Sequence, residues 1–274
     1  MHIKIICTDI DGTLLNKERA VSEKTAFEIS RIKGHIPVIL VSSRMPKAMR
    51  HIQATLDIEH FPIIAYNGGL VLLYDGKEAA ARVFLSVSIA PEISGIIYQR
   101  VRQTNIHTSL YLNDDWYVEH LDYWAEREIN NTRVRPLVTD FEQLIQTWES
   151  QSLGPHKIMC MGPEDEIHAL EQFLQAECNE QLNIYRSKPT YLELSSKFVS
   201  KATAIEKLLT EHMGFQMNEA VAFGDNYNDI EMLQAVGLGI AMANGNEALK
   251  QVADEMTLSN VEDGVAVAIE KWFG

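Results

Sequence analysis

Apolar and polar positions fall into blocks along the first part of the chain. Ile3 to Thr8 is a short, Ile-rich run that reads as a strand buried on both faces. Ser22 stands where it can cap a helix running to about Lys33, with Gly34 just past its end. Ile36 to Val41 predicts a second buried strand, and Pro46 sits where the first turn of a helix to about Leu56 tolerates it. Pro62 to Ala65 begins a third strand. Leu70 to Tyr74, Asp75-Gly76 and Ala81 to Leu85 read as a hairpin closed by a primed turn.

The pattern then changes. Ala90 to Thr104 predicts a helix, and Thr108 to Leu112 and Trp116 to Glu119 predict strands about the turn Asn113-Asp114-Asp115. Helices near Leu121 to Asn130 and Pro163 to Cys178 frame a strand over Lys157 to Met161, with further short strands at Leu182 to Arg186 and Tyr191 to Leu194. Paired strands with interspersed helices indicate an α+β module on an antiparallel sheet. After Ser195 strict alternation returns. Helices are expected at Ser200 to Met213, Asp229 to Ala235, Asn246 to Val252 and Val261 to Trp272, with strands at Ala220 to Phe223 and Leu238 to Met242. The simplest architecture is a parallel α/β core built from residues 1–83 and 189–274, with the α+β module of 84–188 inserted.

The composition narrows the class of partner. A chain of 274 residues, 46% hydrophobic and 23% charged, carries ordinary globular composition and enough apolar material for a core. Its net charge of -14 argues against nucleic-acid backbones and anionic membranes, and requires a local cationic site for any anionic substrate. Cys7, Cys160 and Cys178 are widely spaced, so reduced thiols are expected in place of disulfides or a zinc knuckle. No apolar run is long enough to span a membrane, and the strand starting at Ile3 leaves no room for a signal peptide, so a cytoplasmic protein is expected.

The chemistry lies at the strand ends. In an open parallel sheet, ligands bind beyond the carboxyl ends of the strands. Asp9 and Asp11 end the first strand, Ser42-Ser43-Arg44 the second, Asn67-Gly68-Gly69 follow the third, and Gly224-Asp225 end the strand from Ala220. All four stretches are therefore expected to line one crevice. Two like charges about 4 Å apart repel by roughly 4 kcal/mol at an effective dielectric of 20, so Asp9, Asp11, Asp225 and Asp229 could not gather unaided. A divalent cation resolves the conflict, and a set of oxygen ligands without His or Cys favours Mg2+. Taken alone, DxDG is equally compatible with a solvated turn or a helix cap. A calcium loop over Asp225 to Val236 is excluded, because Ile230 and Val236 occupy the positions that need Gly and Glu. GLGIAM lacks the third Gly of a dinucleotide loop, and no GxxxxGK[ST] loop is present.

DIDGTLL (Asp9 to Leu15), Ser42, Lys201 in FVSKATAIEKLL and GDNYNDIEML (Gly224 to Leu233) together resemble the four motifs of the haloacid dehalogenase superfamily. YNGG (Tyr66 to Gly69), AMANG (Ala241 to Gly245) and NVEDGVAVAIEKWF (Asn260 to Phe273) are similar to its Cof-like subgroup. Only about thirty residues separate Asp11 from Ser42, whereas well over a hundred separate Ser42 from Lys201. That spacing resembles a Rossmann-like core carrying a C2 cap of type IIB. The resemblance implies a Mg2+-dependent phosphatase acting on small phosphomonoesters, with sugar phosphates first and phosphorylated cofactors such as pyridoxal phosphate or flavin mononucleotide next.

The resemblance also implies roles. Asp9 would be the nucleophile forming an aspartyl-phosphate, and Asp11 the acid toward the leaving oxygen and then the base activating water. Ser42 would bond a phosphate oxygen, and Lys201 would neutralise charge and steady Asp9. Mg2+ would be held by Asp9, the Asp11 carbonyl and Asp225, with Asp229 orienting a metal-bound water or Lys201. Gly12 would let the backbone turn close to the phosphate, Thr13 add a hydroxyl bond or a cap, and Asn67, Asn228 and Asn244 make supporting or phosphate contacts. Two positions depart from the usual pattern: Ser43 replaces the Gly of Thr-Gly-Arg, and Ala202 replaces the Gly after the lysine. Altered tuning is expected from both, without loss of chemistry. Arg44 and Lys47 are compatible with phosphate attraction or with a solvated helix start.

Three alternatives remain. A phosphotransferase or mutase would pass the phosphoryl group to a second hydroxyl. A receiver-type phosphoacceptor would accumulate phosphoprotein without turnover, but such domains are shorter, uncapped and lack an acid two residues past the phosphorylated one. A non-catalytic metabolite binder would not need every motif position filled.

Overall fold

The computed structural model describes residues 3–74, 76 and 80–274. The chain opens with β1 (Ile5–Thr8), α1 (Glu23–Ile32), β2 (Val38–Val41), α2 (Lys47–Leu56), β3 (Ile63–Ala65), β4 (Leu70–Leu73) and β5 (Arg82–Ser86). It continues through α3 (Pro91–Val101), β6 (His107–Leu112), β7 (Asp115–Val118), α4 (Tyr123–Thr132), β8 (Leu137–Val138) and α5 (Phe141–Ser150). Next come β9 (Lys157–Met161), α6 (Glu164–Glu177), β10 (Leu182–Lys188) and β11 (Tyr191–Ser196). The last stretch holds α7 (Lys201–Leu208), β12 (Ala220–Gly224), α8 (Ile230–Ala235), β13 (Leu238–Met242), α9 (Glu247–Val252), β14 (Glu255–Thr257) and α10 (Gly264–Phe273).

Contacts divide the chain into two compact units. One comprises the chain up to Arg44, Met49–Leu85 and Val199–Gly274; the other comprises Ser86–Phe198 with Met45–Ala48. The first unit holds an eight-stranded sheet in the order β14-β13-β12-β1-β2-β3-β4-β5. Its ladders from β14 to β3 are parallel, and β3 pairs with β4 antiparallel. Every residue of β1, β2, β12 and β13 is buried, which is why these strands read as unbroken apolar runs. From β1 the chain builds outward through β2 and β3, then returns on the other side through β12. The sheet order therefore reverses between β1 and β12, the crevice where α/β sheets bind ligands. In the hairpin expected between β4 and β5, Asp75 lies outside the described residues.

Capping sets the helices of this unit. Ser22 accepts a hydrogen bond from the Thr25 N–H ahead of α1 at 3.1 Å, as its position predicts. Ser200 and Thr203 form a reciprocal capping box that starts α7, and this fixes Lys201 at the first helical position. The helix expected through Met213 stops being α-helical after Leu208. A π-helical turn over Leu209–Met213 follows, closed by Gly214 at φ 72°.

The second unit is a six-stranded sheet, β10-β11-β9-β6-β7-β8, antiparallel except for the β7–β8 pair. Leu110, Ile158 and Leu192 meet Ile97, Trp148 and Leu170 from α3, α5 and α6 in one apolar core. Both ends of the inserted module shift: residues 84–85, expected in it, belong to the first unit. Residues 189–198, expected in the α/β core, belong here, because β11 pairs with both β9 and β10. α5 and β8 have no counterpart among the expected elements. Phe141, Leu144, Ile145 and Trp148 nevertheless carry helical spacing, and Asp140 caps the Gln143 N–H at 2.9 Å. Trp116 is buried and stacks on Tyr111, and Tyr117 meets Trp148 edge-on, so these aromatics pack the unit's interior. Tyr123 is exposed.

The three cysteines are free and buried. Burial pushes the Cys7 thiol up to about 12, so it behaves as a small hydrophobe. Among the described residues no helix is long and apolar enough to cross a membrane.

Candidate active site

Asp9 and Asp225 follow the carboxyl ends of the adjacent strands β1 and β12. Lys201, Asp229 and Asp9 meet beside them. Lys201 Nζ donates to Asp9 Oδ1 at 2.5 Å and to Asp229 Oδ1 at 2.6 Å, with no exposure of the lysine side chain. The second Asp229 oxygen accepts the Asp225 and Asn226 N–H groups, each at 3.0 Å. Both Asp229 oxygens are thus occupied in fixing Lys201 and the loop that carries Asp225. A Cβ on Gly224 would run into the Asp229 side chain, which accounts for the glycine ahead of Asp225.

The DxDGT segment is fitted to this cluster. Thr13 Oγ1 donates to Asp225 Oδ1 at 2.9 Å, so the hydroxyl orients a carboxylate and not a helix end. Gly12 has φ +84°, and a Cβ there would collide with the Asp225 carboxylate. Its requirement for glycine therefore comes from Asp225. Asn244 Nδ2 donates to the Gly12 carbonyl at 2.8 Å, and Asn260 N–H donates to Asn244 Oδ1 at 2.9 Å. Asn260 Nδ2 also reaches the Leu15 carbonyl at 2.7 Å. Asn244 thus braces the Asp9–Asp11 loop. Asn260 opens the NVEDGVAVAIEKWF stretch of the sequence, but only its fold partners reveal the brace.

At the end of β2, buried Ser42 accepts the Arg44 N–H on its hydroxyl at 3.2 Å, and its carbonyl accepts the Asn67 N–H at 2.9 Å. Ser43 is half-buried beside it. Asn67, at φ 55°, accepts from Asn228 Nδ2 at 3.0 Å, so these two asparagines tie the turn after β3 to the turn after β12. Arg44 takes a place that its position left open. Its Nε and NH2 groups each donate at 2.7 Å to the two oxygens of Asp11.

The electrostatics follow from this packing. Burial pushes the Asp9 carboxyl well above its ordinary value, Lys201 opposes the shift, and Asp229 and Asp225 reinforce it. Burial and then the Asp229 charge raise Asp225 to about 6, against the Thr13 hydrogen bond. Lys201 is disfavoured as a cation by burial, but the charges of Asp229 and Asp9 outweigh this and hold it protonated. Burial also raises Asp11; the hydrogen bonds and charge of Arg44 overcome it and leave the carboxyl below its usual value. Three carboxylates therefore face one lysine. Single oxygens of Asp9, Asp225 and Asp229 lie within 4.8 Å of one another, with no His or Cys among them. A hard divalent cation such as Mg2+ fits the Asp9 and Asp225 oxygens and the cluster's surplus negative charge, with Asp229 taken up by Lys201 and the loop N–H groups.

Comparison with known proteins agrees with this geometry. The model of the haloacid dehalogenase-like hydrolase family matches residues 6–269. The chain belongs to that family, and its activity is that of a phosphoric monoester hydrolase. It is 30% identical to a Bacillus subtilis 5-amino-6-(5-phospho-D-ribitylamino)uracil phosphatase, over 99% of this chain and 96% of that protein. A haloacid dehalogenase-like hydrolase from Bacteroides thetaiotaomicron superposes with TM-score 0.87 at 30% identity, covering 98% of this chain and 99% of that one. A subclass IIB sugar phosphatase, BT4131, shares the fold with TM-score 0.80 at 21% identity, covering 98% and 99%.

Proposed function

We propose that the chain is a Mg2+-dependent phosphatase that hydrolyses small phosphomonoesters through an aspartyl-phosphate on Asp9. The observation that carries this reading is the buried Asp9–Lys201–Asp229 array, backed by Asp225, at the point where the sheet order reverses. Asp9 and Asp225 would hold the ion, with the Asp11 carbonyl, and it would supply positive charge against the phosphate. Asp229 serves by fixing Lys201 and the Asp225 loop.

The chain's own groups divide the reaction. Lys201 holds one Asp9 oxygen and so sets the plane of the carboxylate. In the first step an Asp9 oxygen bonds to phosphorus, the ester P–O bond breaks, and Asp11 gives its proton to the leaving oxygen. In the second, water attacks phosphorus, Asp11 takes its proton, and the Asp9–phosphorus bond breaks to return the carboxylate and inorganic phosphate. The Ser42 hydroxyl, at the end of β2, would hold a phosphate oxygen.

Phosphorylated sugars and sugar alcohols are the substrate class, phosphorylated cofactors the next. This choice leans on the Bacillus subtilis relative, whose name gives a phosphoribityl substrate. The test is phosphate release from a panel of ribitol, hexose, pyridoxal and flavin phosphates, with Mg2+ or with chelator. Turnover of polyol or sugar esters only in Mg2+ is expected. Equal rates in chelator, or no release from any ester, would overturn the reading.

A further inference from the structure

Asp11 has to carry a proton, yet both of its oxygens accept from one guanidinium. A carboxylate gripped in this two-pronged way is held as the anion and turned toward Arg44. The pair is open to solvent at Asp11, whose side chain is 46% exposed, while that of Arg44 is 12% exposed. The main chain of Arg44 is fixed, because its N–H bonds the Ser42 hydroxyl and its carbonyl accepts the Tyr66 N–H. A change of partner therefore falls to the side chain.

The cation inside the cluster cannot greet an incoming anion. Lys201 is fully buried and already donates to Asp9 and Asp229. A phosphate group presents the same two-oxygen edge as a carboxylate, to which a guanidinium binds as a fork. Arg44 springs from the residue after Ser43, beside the Ser42 hydroxyl at the same strand end.

We propose that Arg44 is an exchangeable latch: it holds the Asp11 carboxylate while the site is empty and passes to the substrate's phosphate oxygens on binding, releasing Asp11 to act. This rests on the phosphatase reading above. The exchange breaks two charge-assisted hydrogen bonds and makes two others; no covalent bond changes. Arg44 is thus a positioning residue for Asp11 as well as an anchor for the phosphate.

The test is calorimetric binding of inorganic phosphate, in MgCl2, to the full chain and to Asp11→Asn, Arg44→Ala and the double variant. Removing the competing carboxylate leaves phosphate without that rival for the fork, so Asp11→Asn should bind phosphate about fivefold tighter than the parent, the factor that about 1 kcal/mol supplies. Arg44→Ala should bind weaker, and Asp11→Asn should then add almost nothing. A tightening of the same size in both backgrounds would mean only that a negative charge was removed, and would overturn the latch. Arg44→Lys keeps the charge without the fork and should show a reduced gain; the full gain would contradict a two-pronged exchange. Should the parent hydrolyse monoesters while the cycle is additive, the latch alone fails. Should no protein bind phosphate and the parent hydrolyse no ester, the phosphatase reading fails with it.

Discussion

Lys201 shows how one side chain can be both structural and chemical. Its ammonium lies between two buried carboxylates, so its loss strands their charges without a partner. Breaking a buried pair on one side costs about 3–5 kcal/mol. Lys201→Met should therefore lower the free energy of unfolding by an amount of that order, as well as abolish phosphate release. Adding Asp229→Asn should recover part of the stability but not the activity, since Asp9 would remain unsteadied. Denaturant melts of the two variants check this. The residue types of this site were legible from the sequence, because DxDGT, the isolated lysine and GDxxND carry chemistry in their identity. Their pairings were less so. Nothing in the spacing of Arg44 separates a solvated helix start from a two-pronged contact with Asp11, and Asn260 acquires its role only beside Asn244.

Among the elements, the adjacent strand ends β1 and β12 show how a backbone register becomes a site. The Thr13 hydroxyl, just past β1, orients the Asp225 carboxylate just past β12. Outer contacts that orient a metal ligand are typically worth 10- to 100-fold in metal affinity. Thr13→Val should weaken Mg2+ binding by about that factor with little change in fold, as read by calorimetry and circular dichroism. His156 stands immediately ahead of β9. It accepts the Asn113 N–H on Nδ1 at 3.1 Å, leaving Nε2–H to donate to Ser86 Oγ at 2.9 Å. Burial lowers its value from 6.5 to about 4. A folded value below the unfolded one means the native state binds fewer protons between those limits. The stabilisation is complete above about pH 6.5 and is lost as the pH falls toward 4, a change of about 3 kcal/mol. His156→Gln should flatten the pH dependence of stability over that window. Apolar runs and caps made most strands and helices readable, whereas α5 was hidden. Its apolar residues keep helical spacing behind Asp140, but the six polar residues among them break any apolar run.

At the scale of the molecule, the parallel core could be read from both ends of the chain because alternating buried strands and helices repeat there. The limit of the inserted module could not, since nothing in the residues of β11, YLELSS, says which sheet it joins and only pairing assigns it to the second. The net charge of -14 and the surplus of carboxylates at the site lead to one expectation for the whole fold. An ion that binds only the native state stabilises it by about 2.7 kcal/mol at a hundredfold excess over its dissociation constant. Mg2+ should therefore raise the melting temperature of the parent protein, and Asp225→Asn should remove most of that rise.

The most direct trial of the central claim is a rapid acid quench during turnover of a phosphomonoester in Mg2+, followed by peptide mapping. A phosphoryl group on Asp9 in the parent protein, absent from Asp9→Asn along with turnover, is the outcome this account predicts. An Asp9→Asn variant that releases phosphate at the parent rate, with no labelled Asp9 peptide at any time, would contradict it.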